Sequence, residues 1–202
     1  MEHSTSKALF DYWNRVRGSR PAPERFEIEP SHIAAILPDT FVVEHSGRTQ
    51  LRFRLAGSRI CAQFGQELRG TDLLDLWSRD DREAMETLVV NVVEEHAVAT
   101  ATFVSTRDDG RSLTSELILL PLLHGSSKVN RMIGAISSAE NPYWLGTAPF
   151  VSHAIDKLDL VWPDGPPWVA REAASANDRS FAVAGDGKRR FRVYDGGRTQ
   201  DA

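Results

Sequence analysis

The stretch LTSELILLPLL, residues 113–123, decides the fold. Successive side chains of a β-strand point to opposite faces of the sheet. Leu117 and Leu119 therefore share one face, and Ile118 and Leu120 share the other. Because both faces are apolar, this strand is predicted to be covered on both sides. We expect a layer of helices on one side and an N-terminal helix on the other.

One long helix and four more strand candidates surround this strand. A long helix is predicted after Ser78. It is predicted because Met85, Leu88 and Val92 fall on one helical face. The other strand candidates are FVVEH (41–45), LRFRLA (51–56), ATATFVSTR (99–107) and RMIGAISS (131–138). The element order β-β-α-α-β-β-β predicts an α+β fold with a five-stranded antiparallel sheet. Helices cover one face of this sheet, and an N-terminal helix lies against the other.

The chain is predicted to divide into three segments. Residues 1–38 hold the N-terminal helix and a connecting segment, residues 39–148 form the core, and residues 149–202 form a C-terminal extension. The extension includes a small β-pair by prediction, because residues 186–188 have the composition of a hairpin turn. The strands of that pair would be FAVAG (181–185) and RRFRVY (189–194).

The N-terminal helix is predicted to begin at a cap formed by Ser4 or Ser6 and to run to about Arg17, with Gly18 as its stop signal. A short helix depends on packing for its stability, so its apolar stripe must be covered. Either the sheet of the same chain or a second copy of the chain could cover it. The candidates for a dimer contact are Leu9, Phe10, Trp13 and Val16.

Glu116 lies on the strand face that the N-terminal helix is predicted to cover. A buried carboxylate is costly when it has no partner. Either Arg54 or Arg17 is the predicted partner, so we expect a structural ion pair beneath the helix.

Composition excludes several classes of function. The formal net charge is −4, whereas nucleic-acid binding requires a basic surface. No apolar run approaches the length of a membrane-spanning helix, and the N-terminus lacks the apolar segment of a signal peptide. The single cysteine, Cys61, excludes an internal disulfide and is typical of a reducing compartment. We expect a cytoplasmic protein without a nucleic-acid partner.

Apolar residues that point between the sheet and the helices are the candidates for a ligand pocket. The alternative is that they form a filled core, since protein interiors normally pack without large voids. No acid–base pair, nucleophile or metal-ligand spacing occurs among the predicted inward positions, so no catalytic or metal-binding residue is predicted. The pocket candidates are Phe53, Leu55, Ile60, Phe64, Leu73, Trp77, Met85, Leu88, Val92, Phe103, Leu117 and Leu119.

The central unit resembles the PAS sensor-domain superfamily, and most of the chain resembles the small stand-alone PAS proteins of alphaproteobacteria. This resemblance implies a signalling role but no particular reaction. PAS domains bind small ligands in some cases and mediate protein contacts in others. The matching stretches are YWNRVRGSRPAPERFEIEP (12–30), FRLAGSRICAQFGQELRG (53–70), DLW (75–77), SELILLPL (115–122), WLG (144–146) and YDGGR (194–198).

Two cofactor hypotheses follow from this resemblance. SRICAQFGQ resembles a flavin-photosensor motif in which a cysteine adds to the flavin, but Ile60 stands where that motif has asparagine. His96, predicted near the C-terminus of the long helix, is a candidate haem ligand, because haem-binding PAS domains use a histidine on that helix. For Cys61 the alternative is a small buried apolar residue, and for His96 it is a solvated residue at a helix end. No cofactor is predicted.

The expected function is therefore a non-enzymatic sensor or adaptor in bacterial signal transduction. We expect a homodimer, with a signalling kinase or response regulator as a further partner. The alternatives are a sensor that binds haem, flavin or an apolar metabolite in the pocket, and a small enzyme that uses the same pocket.

Overall fold

The computed structural model describes residues 1–46, 50–125, 128–163 and 191–195. Among these residues, short 3₁₀ turns connect three α-helices and seven β-strands. The helices are α1 (Ser4–Arg17), α2 (Ser58–Phe64) and α3 (Arg79–Glu94). The strands are β1 (Thr40–Ser46), β2 (Gln50–Ala56), β3 (Val98–Thr106), β4 (Ser112–Leu123), β5 (Val129–Ser138), β6 (Ser152–Trp162) and β7 (Phe191–Asp195).

All seven strands belong to one sheet in the order β2-β1-β5-β4-β3-β6-β7. Neighbouring strands are antiparallel except β6 and β7, which are parallel. The α+β prediction is confirmed, but the sheet has more strands than the predicted five. β6 was missed, although it pairs with β3 along the length of that strand. The first strand of the predicted C-terminal β-pair, FAVAG, and its turn lie outside the described residues, and the second strand corresponds to β7.

Local signals set the helix boundaries. α1 ends at Arg17 and is followed by Gly18, whose φ of 60° glycine adopts at little cost. α3 begins after Ser78, whose hydroxyl accepts a hydrogen bond from the backbone N–H of Asp81 at 3.4 Å. Met85 and Leu88 are on its buried face, as the periodicity predicts. Both predicted helices are confirmed.

β4 is covered on both sides, as its sequence predicts. Leu117 and Leu119 belong to an apolar cluster that includes the buried faces of α2 and α3. Ile118 and Leu120 belong to a second cluster on the other side of the sheet, which includes the buried residues of α1. The sheet therefore lies between two apolar layers. None of the described helices combines the length and apolarity that would let it cross a membrane.

Candidate functional site

Side chains from the sheet and the helices pack against one another in the space where a pocket was predicted. Eleven of the twelve candidate residues are buried members of one apolar cluster. Mutual burial of this kind is what the filled-core alternative predicts. These eleven residues are Phe53, Ile60, Phe64, Leu73, Trp77, Met85, Leu88, Val92, Phe103, Leu117 and Leu119.

Leu55 is the exception, and its predicted inward position is wrong. Its side chain is 52% exposed. The pairing of β1 with β2 shows the reason: Val42 lies opposite Leu55, but Val43 lies opposite Phe53, which leaves Arg54 as an extra residue. A β-bulge of this kind shifts the alternation by one residue. Leu55 therefore shares a sheet face with Val42, which contacts the α1 layer.

His153 lies among aromatic rings at the edge of the interior cluster. The sequence around it did not indicate a functional role. The centroid of its ring is 5.0 Å from that of Phe64, 6.0 Å from Phe150, and 6.3 Å from both Trp77 and Phe103. Burial lowers the pKa of His153 to about 4. The imidazole is therefore neutral at physiological pH.

The alternation of β6 could not reveal this histidine. Thr102 pairs with Lys157 but Phe103 pairs with Ile155, so Asp156 is an extra residue in β6. This bulge breaks the period-two pattern that would have assigned His153 to the inner face.

Ser105 faces His153 across the β3–β6 pair, and its Oγ lies 2.8 Å from Nδ1 of the imidazole. A serine within hydrogen-bonding distance of a histidine is also the start of a nucleophile–base pair. Here Ser105 is 0% exposed, so a substrate could not reach its hydroxyl. An imidazole with a pKa of about 4 is also a weak base near pH 7. The geometry is that of a structural hydrogen bond.

Two more polar groups reach the interior near this cluster. Nε2 of Gln63 on α2 donates a hydrogen bond to Oγ of Ser115 on β4 at 2.9 Å. The indole Nε1–H of Trp77 is buried without a hydrogen-bond partner among the described residues. An unsatisfied buried donor is uncommon in folded proteins. Trp77 therefore has an interior donor with capacity for one more hydrogen bond.

Glu116 lies beneath the N-terminus of α1, on the opposite side of the sheet, and its neighbours stabilise the carboxylate form. Its two oxygens accept hydrogen bonds from the backbone N–H of Glu2 at 2.7 Å and of His3 at 3.2 Å. The amino group of Met1 is 3.8 Å from Oε2. Burial acts to raise the pKa of Glu116, but the Ser6 hydroxyl, the two backbone N–H groups and the N-terminal charge outweigh it, so the pKa is lowered.

The predicted ion pairs of Glu116 with Arg54 and Arg17 are wrong. The Arg54 guanidinium binds the carboxylate of Glu44 in two hydrogen bonds of 2.9 and 2.8 Å. Arg17 is at the opposite end of α1, about 20 Å along the helix from the residues that contact Glu116. It donates hydrogen bonds to Oδ1 of Asn14 and to the carbonyl of Arg20.

α1 packs on the sheet of its own chain through two of the four dimer candidates. Leu9 and Trp13 are fully buried, and Nε1 of Trp13 donates a hydrogen bond to the carbonyl of Pro121 at 2.8 Å. Phe10 and Val16 are only partly buried against the same cluster. A dimer contact through Phe10 and Val16 stays a prediction, whereas Leu9 and Trp13 are already covered within one chain.

Comparison with protein families identifies this fold. A PAS-domain family model, PAS_5, matches residues 1–137. The match includes α1, the connecting segment and the sheet up to β5. The chain belongs to this PAS family. No significant sequence match is found among curated proteins.

Solved PAS and LOV domains are similar to this PAS protein at low sequence identity. The light-state structure of the blue-light photoreceptor Aureochrome1 LOV has 12% identity and a TM-score of 0.41, covering 54% of this chain and 87% of its own. The PAS domain of a protein from Colwellia psychrerythraea has 14% identity and a TM-score of 0.41, covering 54% and 93%. A light-oxygen-voltage domain studied with a flavin analogue has 18% identity and a TM-score of 0.42, covering 56% and 87%.

The surroundings of Cys61 do not fit the flavin-photosensor hypothesis for this PAS protein. Its Sγ lies 3.7 Å from Oε1 of Glu67, in a contact exposed to solvent, and 4.0 Å from the carbonyl of Ala56. The buried face of α2 instead presents Ile60 and Phe64 to the interior. A thiol that adds to an interior ring must point into the interior, whereas Cys61 is only partly buried, at the margin of the interior cluster.

The surroundings of His96 do not fit the haem hypothesis. α3 ends at Glu94, and His96 follows it with a φ of 54°. The haem hypothesis requires the long helix to carry the imidazole. His96 lies beyond the end of that helix, so this requirement is not met. Across the described residues, no three histidine, cysteine or acidic side chains cluster closely enough to hold a metal ion.

Proposed function

We propose that this PAS protein is a non-enzymatic signalling adaptor that acts through protein contacts in the bacterial cytoplasm. The observation that carries this proposal is the mutual burial of eleven of the twelve interior candidates. A packed interior couples α2 and α3 to the sheet, so a contact on one side can be transmitted through the shared strand β4. The expected partner is a signalling kinase or response regulator.

Self-association through α1 is the part of this proposal that the chain can test by itself. Phe10 and Val16 keep apolar surface at the outside of the α1 layer, and burial of that surface would favour a dimer. Phe10→Glu should convert a dimer to a monomer in size-exclusion chromatography with light scattering. Tyr143→Glu is the matched control, because Tyr143 is an exposed aromatic residue outside α1. A wild-type monomer at all concentrations tested would contradict the dimer.

Interior ligand binding is the second candidate function, and the unpartnered Nε1–H of Trp77 favours it. A small molecule with a hydrogen-bond acceptor would satisfy this donor beside the aromatic rings around His153. Mass spectrometry of the denatured, purified protein and its visible absorbance test this alternative. A stoichiometric small molecule, together with a Trp77-dependent fluorescence change when it is removed, would favour the ligand sensor over the adaptor.

A further inference from the structure

A groove of about 460 Å³ lies at the margin of the interior cluster, where the connecting segment between α1 and β1 crosses the ends of β1 and β2. Its volume is within the range of about 300–1,000 Å³ that is usual for small-molecule sites. The residues that line it are Arg25, Ile28, Pro30, Ile33, Ala34, Leu37, Pro38, Thr40, Phe41, Val42, Leu55, Ala56, Gly57, Ser58 and Ile133.

The walls of this groove are apolar and partly open to solvent. Leu55 is 52% exposed, because the bulge at Arg54 turns it toward this side of the sheet. Leu37, another lining residue, is 41% exposed. Such paired exposure of large aliphatic side chains along a concave surface is typical of a binding site.

The wall formed by Leu37 and Pro38 is held directly against the β2–α2 connection. A Cβ atom at Gly57 would lie only 2.7 Å from the Leu37 carbonyl oxygen and would also clash with Pro38. The backbones therefore approach each other as closely as glycine allows. This close contact fixes the position of the Leu37–Pro38 wall relative to the end of β2.

Arg25 is the only charged residue among those that line the groove. Its guanidinium has no hydrogen-bond or ion-pair partner in the described part of the chain. The nearby charge of Arg59, by contrast, is paired with Asp39. Of the two hydroxyl groups, that of Thr40 donates to the Leu37 carbonyl at 2.9 Å, whereas that of Ser58 is exposed. One unpaired cation thus stands beside apolar walls in a chain whose net charge is −4.

We propose that this groove binds a small amphipathic carboxylate. The apolar part of the ligand lies between Leu37 and Leu55, and its carboxylate accepts hydrogen bonds from the guanidinium of Arg25. A single cation matches the single charge of a carboxylate, and the planar guanidinium donates to both carboxylate oxygens. This site shares only Phe41 with the buried members of the interior cluster, and it does not depend on the function proposed above.

The test uses three probes with the same ten-carbon chain: decanoate, decanol and decyl phosphate. Isothermal titration calorimetry with the full chain should show saturable binding of decanoate and weaker binding of decanol. Arg25→Met should weaken decanoate binding about tenfold, because it removes a charge-assisted hydrogen bond, and should leave decanol binding unchanged. Leu55→Ser should weaken the binding of both probes about fivefold through lost apolar contact. Val151→Ser, at another exposed aliphatic side chain, is the control and should change neither.

Three results would overturn the proposal. The first is an absence of saturable decanoate binding to the wild-type chain. The second is an equal effect of Arg25→Met on the binding of decanoate and of decanol, which would show that the guanidinium does not bind the carboxylate. The third is tighter binding of decyl phosphate than of decanoate, which would assign the groove to phosphate-bearing ligands. Circular dichroism spectra that match the wild type confirm that Arg25→Met and Leu55→Ser are folded.

Discussion

Replacing Glu116 by glutamine tests the account of how α1 is attached to the sheet. The carboxylate accepts two backbone N–H groups, from Glu2 and His3, in an environment where Glu116 is almost fully buried. Hydrogen bonds to a charged group contribute about 1.5–3 kcal/mol each. Glutamine keeps one acceptor oxygen but turns an NH₂ group toward the other N–H donor. The expected loss in the free energy of unfolding is therefore about 2 kcal/mol.

Thermal denaturation followed by circular dichroism measures this loss. For a chain of this size, about 2 kcal/mol corresponds to a decrease in Tm of about 4–8 °C. Glu86→Gln is the control, because Glu86 pairs with Arg82 at the surface of α3 and such pairs contribute about 0.3–0.5 kcal/mol. The difference between wild type and Glu116→Gln should also depend on pH. Since the folded pKa of Glu116 is lowered from 4.5, its contribution is present at pH 7 and is lost as the pH falls through the folded pKa.

Two results would refute this reasoning. A Tm decrease for Glu116→Gln no larger than that of Glu86→Gln would show that the two backbone hydrogen bonds contribute nothing beyond a surface pair. A decrease that stays the same at pH 7 and at pH 3 would show that the charge of the carboxylate is not responsible.

The remaining predictions concern the interior histidine and the tight connection after β2. Burial lowers the pKa of His153 from 6.5 to about 4, so the unfolded chain binds a proton in this interval while the folded chain does not. The wild-type free energy of unfolding should therefore fall as the pH decreases from 6.5 to about 4. In urea titrations, His153→Asn, whose side chain can still bond to Ser105, should lose less stability over the same pH interval. Equal losses would contradict the burial of a neutral imidazole. Gly57→Ala forces its new Cβ against the backbone of Leu37 and Pro38, so its urea midpoint should indicate a loss of about 1–3 kcal/mol; an unchanged midpoint would show that this contact is not tight.

Much of the fold was predictable because its signals are local. The alternation of Leu117 and Ile118 follows from the period of a strand, and it correctly predicted two apolar layers. The spacing of Met85 and Leu88 follows from the period of a helix, and it correctly predicted the buried face of α3. In these elements the order of residue types and the period of the backbone assign each apolar side chain to a face, and this assignment does not depend on the rest of the chain.

The candidate site was less predictable because bulges changed the faces that alternation assigns. The extra residue Arg54 moved Leu55 out of the predicted pocket and onto the wall of the groove. The extra residue Asp156 concealed the inward position of His153. A bulge depends on the register between two strands, and that register is not written in the alternation of either strand alone.

The sequence LTSELILLPLL by itself predicts that both faces of the strand are covered. Apolar side chains point to both faces, and their burial away from water is favourable on either side. The same sequence also placed Glu116 beneath the covering helix. The partners of Glu116 could not be predicted from the sequence, because its hydrogen-bond donors are backbone N–H groups 113 and 114 residues earlier in the chain. Only the packing of α1 across the sheet brings those N–H groups to the carboxylate, and backbone donors have no side-chain signature that a sequence could show.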